Sequence, residues 1–363
     1  MKRLRTMLVQ LRRSMRCSST VTLYLIMTAK LVSAEMSLHW RQLPPIPASL
    51  GVAGPFAGVS GDALIVAGGA NFPDKLPWEG GVKVWHDAVY VLDRTNGVWR
   101  GEFKLPKPLG YGVSVTTPDG VICIGGSDST QHVSDVILLS WRNGELKHRS
   151  LAPLPETLAN SCGAVVGHTV YVAGGTATPD ATNAMKNFWS LDLKERDATW
   201  KRLEPWPGPA RMLSVAAALG DAFYVVGGTD LAPDTNGKPV RTYLKDAYCF
   251  KPGQGWRRVA DMPNPVVAAP TPAPITSLTQ FLVIGGDDGS LAGFEPKSKH
   301  PGFPKRVLCY DAYEDKWSEV GETPASRATL PVVPWQGWFV IPSGEARPGV
   351  RSPEVWAVRP VAD

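Results

Sequence analysis

An apolar run that ends in two adjacent glycines recurs five times in this 363-residue chain. The five runs are Leu64–Gly69, Val121–Gly126, Val170–Gly175, Phe223–Gly228 and Phe281–Gly286. A sixth, degenerate copy is Phe339–Gly344, in which Ser343 replaces the first glycine. The final glycines of successive copies lie 57, 49, 53, 58 and 58 residues apart. This spacing indicates one structural unit repeated six times rather than several unrelated domains.

Each repeat has the composition of four short β-strands. Valine, isoleucine, phenylalanine and tyrosine suit a pleated, buried surface, and glycines let the backbone turn sharply where the second strand ends. A third apolar segment follows each pair. An outer segment with tryptophan comes next in four repeats, at Trp99, Trp200, Trp256 and Trp317, and the second repeat is expected to use Leu146 onward. Four antiparallel strands in about 50 residues match the kelch repeat.

The two ends of the chain are expected to meet in the last repeat. The sixth repeat ends after its third strand-like segment, Val355–Val358, while His39–Leu43 near the N-terminus has the pattern of an outer strand. An N-terminal strand that completes the last blade would close the ring and leave no unpaired sheet edge there. The sequence therefore predicts an all-β fold, a six-bladed kelch β-propeller over residues 35–363.

The basic residues are concentrated at the N-terminus. Residues 1–34 hold seven of the 38 Lys and Arg residues and none of the 33 acids, so the remainder carries 31 bases and a net charge of −2. A basic stretch, an apolar segment and Val32-Ser33-Ala34 predict a signal peptide over 1–34 and a periplasmic or secreted protein. The alternative is a disordered tail or a short membrane anchor. The near-neutral remainder argues against nucleic-acid binding, and no later run is long enough for a membrane span.

The sixth repeat contains the strongest candidate site. A propeller binds its ligand at one mouth of the central channel, in loops from several blades. Glu345 directly follows Gly344, which ends the degenerate sixth copy, and Arg351 comes six residues later. A partly desolvated glutamate can act as a general base, and an arginine offers a planar fork to a carboxylate. The alternative is an ordinary ion pair that holds the loop.

Further candidates lie in the first repeat and at the starts of inner strands. In the loop after the first glycine pair, four polar residues stand near Trp78 and Trp85, and polar groups beside aromatic faces are typical of sugar sites. They are Asn71, Glu79, Lys83 and His86. The alternative is that the tryptophans pack between blades. Four residues that begin later inner strands are weaker candidates: Arg211, Arg327, Asn160 and Tyr111. The six histidines show no paired metal spacing, so no metal and no cofactor are predicted.

Several of these stretches together resemble the bacterial N-acetylneuraminate epimerase family, sialic acid mutarotases with a six-bladed kelch propeller. The similar stretches include Gly51–Ser60, Leu64–Ala70, Tyr111–Ser114 and Gly344–Arg351. In that family the part resembling residues 155–360 comes first, so this chain resembles a cyclically permuted branch. The resemblance implies that Glu345 is the catalytic base and that Arg351 holds the sugar carboxylate, with Arg211 or Arg327 assisting.

The resemblance implies an isomerase that interconverts the α and β anomers of free sialic acid by ring opening. Glu345 would take the proton of the anomeric hydroxyl, and Lys83, His86 or a water would protonate the ring oxygen. The partner is then a small acidic sugar, and the oligomeric state is open. Two alternatives remain: a non-catalytic kelch module that binds a glycan or a protein, and a mutarotase for a different sugar.

Overall fold

The computed structural model describes residues 36–362, and the predicted signal peptide lies outside them. Six antiparallel sheets form the blades of a β-propeller, which confirms the predicted fold class. From the inner to the outer strand, the blades are Phe56–Ser60, Ala63–Ala67, Ala88–Leu92 and Arg100–Lys104 (blade 1); Val113–Thr117, Gly120–Ile124, Val136–Arg142 and Glu145–Ser150 (blade 2); Cys162–Val166, Thr169–Ala173, Phe188–Asp192 and Lys201–Arg202 (blade 3); Val215–Leu219, Ala222–Val226, Ala247–Lys251 and Gly255–Val259 (blade 4); Gln280–Ile284, Arg306–Asp311 and Lys316–Glu322 (blade 5); and Val333–Trp335, Trp338–Pro342, Val355–Ala362 and Met36–Leu43 (blade 6).

Shorter elements lie outside the blades. In blade 5 a single bridge between Ile275 and Phe281 takes the place of an inner strand. Three two-stranded ribbons pair Ala70–Asn71 with Val84–Trp85, Thr229–Pro233 with Pro239–Tyr243, and Glu345–Arg347 with Val350–Arg351. Two 3₁₀ turns span Pro77–Glu79 and Lys297–Lys299.

The N-terminal strand closes the ring as the sequence predicts. Met36–Leu43 pairs antiparallel with Val355–Ala362, with Trp40 opposite Val358. Blade 6 is therefore built from both ends of the described chain, and apolar side chains of blades 6 and 1 pack together in one cluster.

The core consists of six apolar clusters, each between two adjacent blades. The tryptophans of the outer segments link neighbouring blades through a side-chain hydrogen bond. The indole N–H groups of Trp99, Trp200, Trp256 and Trp317 each donate to a backbone carbonyl in the segment that follows the preceding blade, over 2.8–3.0 Å. A buried indole needs such an acceptor, which explains why a tryptophan recurs at this position.

A closed ring of backbone hydrogen bonds surrounds the central channel. It joins one residue from each blade junction: Gly54, Tyr111, Asn160, Leu213, Ala268 and Thr329. Each donates its N–H to the carbonyl of the residue before it in the ring, over 2.7–2.9 Å, and Gly54 donates to Thr329. All six have a φ between 56° and 64°, which is costly for the five that are not glycine. The ring therefore gives its five non-glycine residues the same backbone conformation at the channel.

The paired glycines meet a backbone requirement at the end of each second strand. Every glycine of the five pairs has a positive φ, and so does Ser343 in the degenerate pair. The second glycine also lies close to the segment that leads into the inner strand of its own blade. At Gly126, with φ 115°, an added Cβ would lie 2.7 Å from the carbonyl oxygen of Gly110. The repeated signal in the sequence is therefore a steric demand of the blade junction.

We expect Gly126→Ala to lower the free energy of unfolding by more than about 2 kcal/mol, because it adds a collision with backbone to an unfavourable φ. Gly253→Ala is the matched control, since Gly253 has φ 78° but no atom within 4 Å of an added Cβ. It should cost about 1 kcal/mol. Urea unfolding followed by tryptophan fluorescence measures both. Equal losses in the two variants would contradict the steric explanation.

Candidate functional site

The residue after each glycine pair is held at the channel mouth by the same backbone pairing. At these positions stand Ala70, Ser127, Thr176, Thr229, Asp287 and Glu345. Each forms a bridge with the residue that precedes a member of the backbone ring. Glu345 exchanges two hydrogen bonds with Ala328, of 2.9 and 3.0 Å. The repeat therefore places the Glu345 side chain at the mouth through rigid backbone, as the sequence predicts for the residue after the pair.

Glu345 and Arg351 are joined across the short ribbon of blade 6. One carboxylate oxygen of Glu345, Oε1, accepts from Arg351 Nη1 at 3.1 Å and from the backbone N–H of Gly349 at 2.7 Å. The other oxygen, Oε2, has no hydrogen-bond partner among the described residues. The side chains of Glu345 and Arg351 are 18% and 5% exposed. The carboxylate is thus fixed through one oxygen and free at the other.

Gly349 lets the tip of this ribbon lie against the first-blade loop. Its φ is 81°, and an added Cβ would lie 2.6 Å from Pro77 Cγ. Only glycine fits this turn without displacing the 3₁₀ turn of blade 1. The same backbone N–H that binds Glu345 is therefore held by contact between two blades.

Three aromatic or polar groups restrict Arg351. Its guanidinium lies 4.8 Å from the centre of the Phe72 ring, and Nη2 donates to the hydroxyl of Tyr111 at 3.4 Å. Nε points to the carbonyl of Ala70 at 3.4 Å. Burial raises the pKa of Tyr111, with Glu345 acting in the same direction and Arg351 opposing it, so the phenol keeps its proton at neutral pH.

Lys83 stands beside the same group in an aromatic surround. Its ammonium nitrogen is 5.1 Å from the ring centre of Tyr111, 5.3 Å from that of Trp85 and 5.9 Å from that of Phe72. Burial lowers the pKa of Lys83, the neighbouring Arg351 lowers it further, and Glu345 partly opposes both. Glu345, Arg351, Lys83 and Tyr111, from blade 6, the blade 1 loop and the backbone ring, form one group that we call the mouth cluster.

The other first-blade candidates support their own loop. His86 Nε2 lies 2.9 Å from Asn71 Oδ1, and the Asn71 amide donates to the carbonyl of Gly51 at 2.9 Å. Burial lowers the pKa of His86, against the opposing charge of Asp87, which favours the neutral imidazole. Glu79 is exposed, and its carboxylate accepts from the N–H of Leu76 at 3.1 Å. The structure does not bring Asn71, His86 or Glu79 into hydrogen-bond contact with the mouth cluster.

Arg211 and Arg327 are buried side chains that pair with Asp246 and Glu354 instead of joining the mouth cluster. Arg211 is fully buried, with Nη2 2.8 Å from Asp246 Oδ2 and Nη1 3.0 Å from the carbonyl of Gly227. Arg327 is 7% exposed and donates to the carboxylate of Glu354. Neither guanidinium has a hydrogen bond to the mouth cluster, so the structure does not place these arginines where the sequence predicted that they would help to hold the substrate.

The comparisons with known proteins point to one family. The family model described as N-acetylneuraminate epimerase matches residues 26–147 and 151–291, well over half of the chain. This chain belongs to the N-acetylneuraminate epimerase family. Lys83 and Tyr111 of the mouth cluster fall within the matched residues, and Glu345 and Arg351 lie beyond them. The kelch assignment and the cyclic permutation stay predictions.

Curated relatives with the same description are similar over part of their length. The N-acetylneuraminate epimerase of Yersinia pestis (strain Pestoides F) is 41% identical over 125 residues, 30% of this chain and 31% of that protein. That of Salmonella typhimurium is 28% identical over 233 residues, 57% of this chain and 58% of its own. That of Salmonella typhi is 27% identical over 231 residues, 57% of each. The matches thus span under a third to somewhat over half of these epimerases.

A neutral polar group borders the mouth cluster in this family member. Thr176 Oγ1 lies 3.1 Å from both Asn160 Nδ2 and His132 Nε2. Asn160 is linked to Tyr111 by the backbone ring, at 2.9 Å. Sequence reasoning found Tyr111 and Asn160 only as inner-strand starts and missed His132 and Thr176. The position after the glycine pair was the signal that could have found Thr176.

Two further observations concern residues 36–362. They contain no group of three or more His, Cys, Asp or Glu side chains arranged to hold a metal ion. They also contain no helix long and apolar enough to cross a membrane.

Proposed function

We propose that this epimerase-family protein interconverts the α and β anomers of free N-acetylneuraminate by general acid–base ring opening, without a cofactor. The observation that carries the proposal is the Glu345 carboxylate, which Arg351 and Gly349 hold by Oε1 while Oε2 stays free at the channel mouth. A carboxylate that is fixed in direction and open at one oxygen suits proton abstraction from a bound hydroxyl.

In the proposed reaction, Glu345 takes the proton of the anomeric hydroxyl. The electrons of that O–H bond form the ketone as the bond between the anomeric carbon and the ring oxygen breaks. The ring oxygen takes a proton from an acid or from water, and the sugar is then an open-chain keto acid. Rotation of the ketone and closure on its other face give the second anomer, with both protons returned. These steps consume no oxidant or reductant and need no metal.

The geometry distinguishes among the acid candidates. Lys83 belongs to the mouth cluster, whereas the Nε2 atom of His86 lies at hydrogen-bond distance from Asn71. Lys83 or a water is therefore the better proton source for the ring oxygen. The aromatic faces around Lys83 and the neutral group of Asn160, Thr176 and His132 suit the apolar and hydroxylated faces of a sugar.

A binding module without catalysis is the second candidate, because structural ion pairs also join glutamate and arginine. In that case the chain would bind a glycan or a protein and accelerate nothing. A mutarotase for a neutral sugar is the third, and it would not need two cations at the mouth. We further propose that residues 1–34 direct the protein to the periplasm or out of the cell, where it would meet free sugar.

Proton NMR of freshly released α-N-acetylneuraminate tests the proposal. We expect added protein to bring the α anomer to its equilibrium with the β anomer faster than buffer alone, in proportion to protein concentration. Folded protein that leaves the rate at the buffer value would contradict the assignment. Acceleration with a neutral keto-sugar and not with the acid would favour the third candidate.

A further inference from the structure

We propose that Lys83, rather than Arg351, holds the carboxylate of the sugar and makes the site selective for an anion. This inference rests on the proposed function and assigns different roles to Lys83 and Arg351. The resemblance to the family assigned the carboxylate to Arg351. The contacts of the two side chains lead to a different division.

Arg351 is already occupied in the absence of a ligand. Its Nη1 donates to Glu345, its Nη2 to Tyr111, and its Nε points to the carbonyl of Ala70. The ring of Phe72 covers one face at 4.8 Å, and only 5% of the side chain is exposed. A carboxylate bound to both Nη1 and Nη2 would replace Tyr111 and compete with Glu345 for Nη1. Arg351 is therefore a positioning residue that directs Glu345 and offsets its charge.

Lys83 is the cation without an anionic partner. Among the described residues it has no hydrogen bond and no carboxylate within 4.0 Å, and it is half-buried among three aromatic rings. A partly desolvated ammonium without an anion is unfavourable, and aromatic faces offset only part of the loss. All three of its N–H donors remain for a ligand.

The charges of the mouth cluster agree with this assignment. Glu345 and Arg351 neutralise each other across 3.1 Å, so Lys83 leaves the cluster with one positive charge. A sugar with a single carboxylate would bring that sum to zero. A neutral sugar would leave the ammonium as it is. The site is thus built for a monoanion whose charge lies beside the aromatic surround of Lys83.

The test compares N-acetylneuraminate with its methyl ester, which keeps the anomeric centre and removes the charge. The variant is Lys83→Met, which keeps most of the apolar stem, and the control is Lys75→Met, an exposed lysine of the same loop. We expect the wild type to prefer the acid in kcat/KM by about 10-fold or more, as for a hydrogen bond to a charged group. In Lys83→Met the preference should fall to near 1, through a higher KM for the acid.

The other outcomes are equally informative. Lys83→Arg should keep the preference for the acid, and Lys75→Met should match the wild type. An unchanged preference in Lys83→Met would overturn the proposal. An equal loss of kcat with acid and ester would overturn it in favour of Lys83 as the acid that protonates the ring oxygen. Circular dichroism and thermal unfolding establish that each variant is folded.

Calorimetric titration separates this inference from the proposed function. If the wild type turns over neither compound, the mutarotase assignment is wrong, but binding still decides the role of Lys83. Tighter binding of the acid than of the ester, lost in Lys83→Met, would support the inference. Binding that does not distinguish the two compounds, or no binding of either, would overturn it.

Discussion

Glu345→Gln is expected to remove the acceleration of sialic acid anomer exchange, a loss of about 10²- to 10⁴-fold in kcat. Glutamine has nearly the same shape, and its amide oxygen can still accept from the N–H of Gly349. It has lost the basic oxygen that Glu345 presents at Oε2. The rate constant for exchange, measured by proton NMR with and without protein, gives the change directly.

The matched control is Glu145→Gln, which removes a carboxylate that is 70% exposed on the outer strand of blade 2. It should leave kcat and KM at the wild-type values. Sugar binding by Glu345→Gln should persist, because Lys83 and the aromatic rings are unchanged. A Glu345→Gln protein that exchanges the anomers at the wild-type rate would show that another group is the base.

Arg211→Met is expected to lower the free energy of unfolding by about 3–5 kcal/mol without changing KM. The guanidinium is fully buried between Trp206 and Tyr248, 5.4 and 5.3 Å from their ring centres. Its removal leaves the carboxylate of Asp246, which is 11% exposed, without the partner that holds its charge. Urea unfolding measures the stability loss, and kinetics at a temperature where the variant stays folded measures KM.

The double variant Arg211→Met with Asp246→Leu separates charge from packing. Replacing both members of a buried pair by apolar side chains is often close to neutral, so most of the stability should return. If Arg211→Met alone had wild-type stability and a raised KM, the structural role of Arg211 would be contradicted. That result would restore the substrate contact that the sequence predicted for Arg211.

The number and order of the blades followed from local properties of the sequence. Runs of β-branched and aromatic residues indicate strands. The paired glycines indicate a positive φ, which other residues adopt only at a cost in conformational free energy. The outer strand at His39–Leu43 was recognisable because the last repeat lacked one. The position of Glu345 was predictable for the same reason, since it directly follows Ser343-Gly344, which stands where the other repeats have their glycine pair.

The roles of the cations needed the folded ring. Arg211 pairs with Asp246, 35 residues away, and Arg327 with Glu354, 27 residues away, and nothing near either arginine in sequence predicts those partners. Lys83 is surrounded by rings from its own loop and by Tyr111 from the next blade junction. Burial and pairing depend on which loops the closed propeller brings together, whereas strand, turn and glycine signals depend on neighbours along the chain. The repeat pattern therefore predicts the scaffold from the sequence alone. Which charged side chains at the channel mouth form ion pairs, and which do not, is decided by the closed ring.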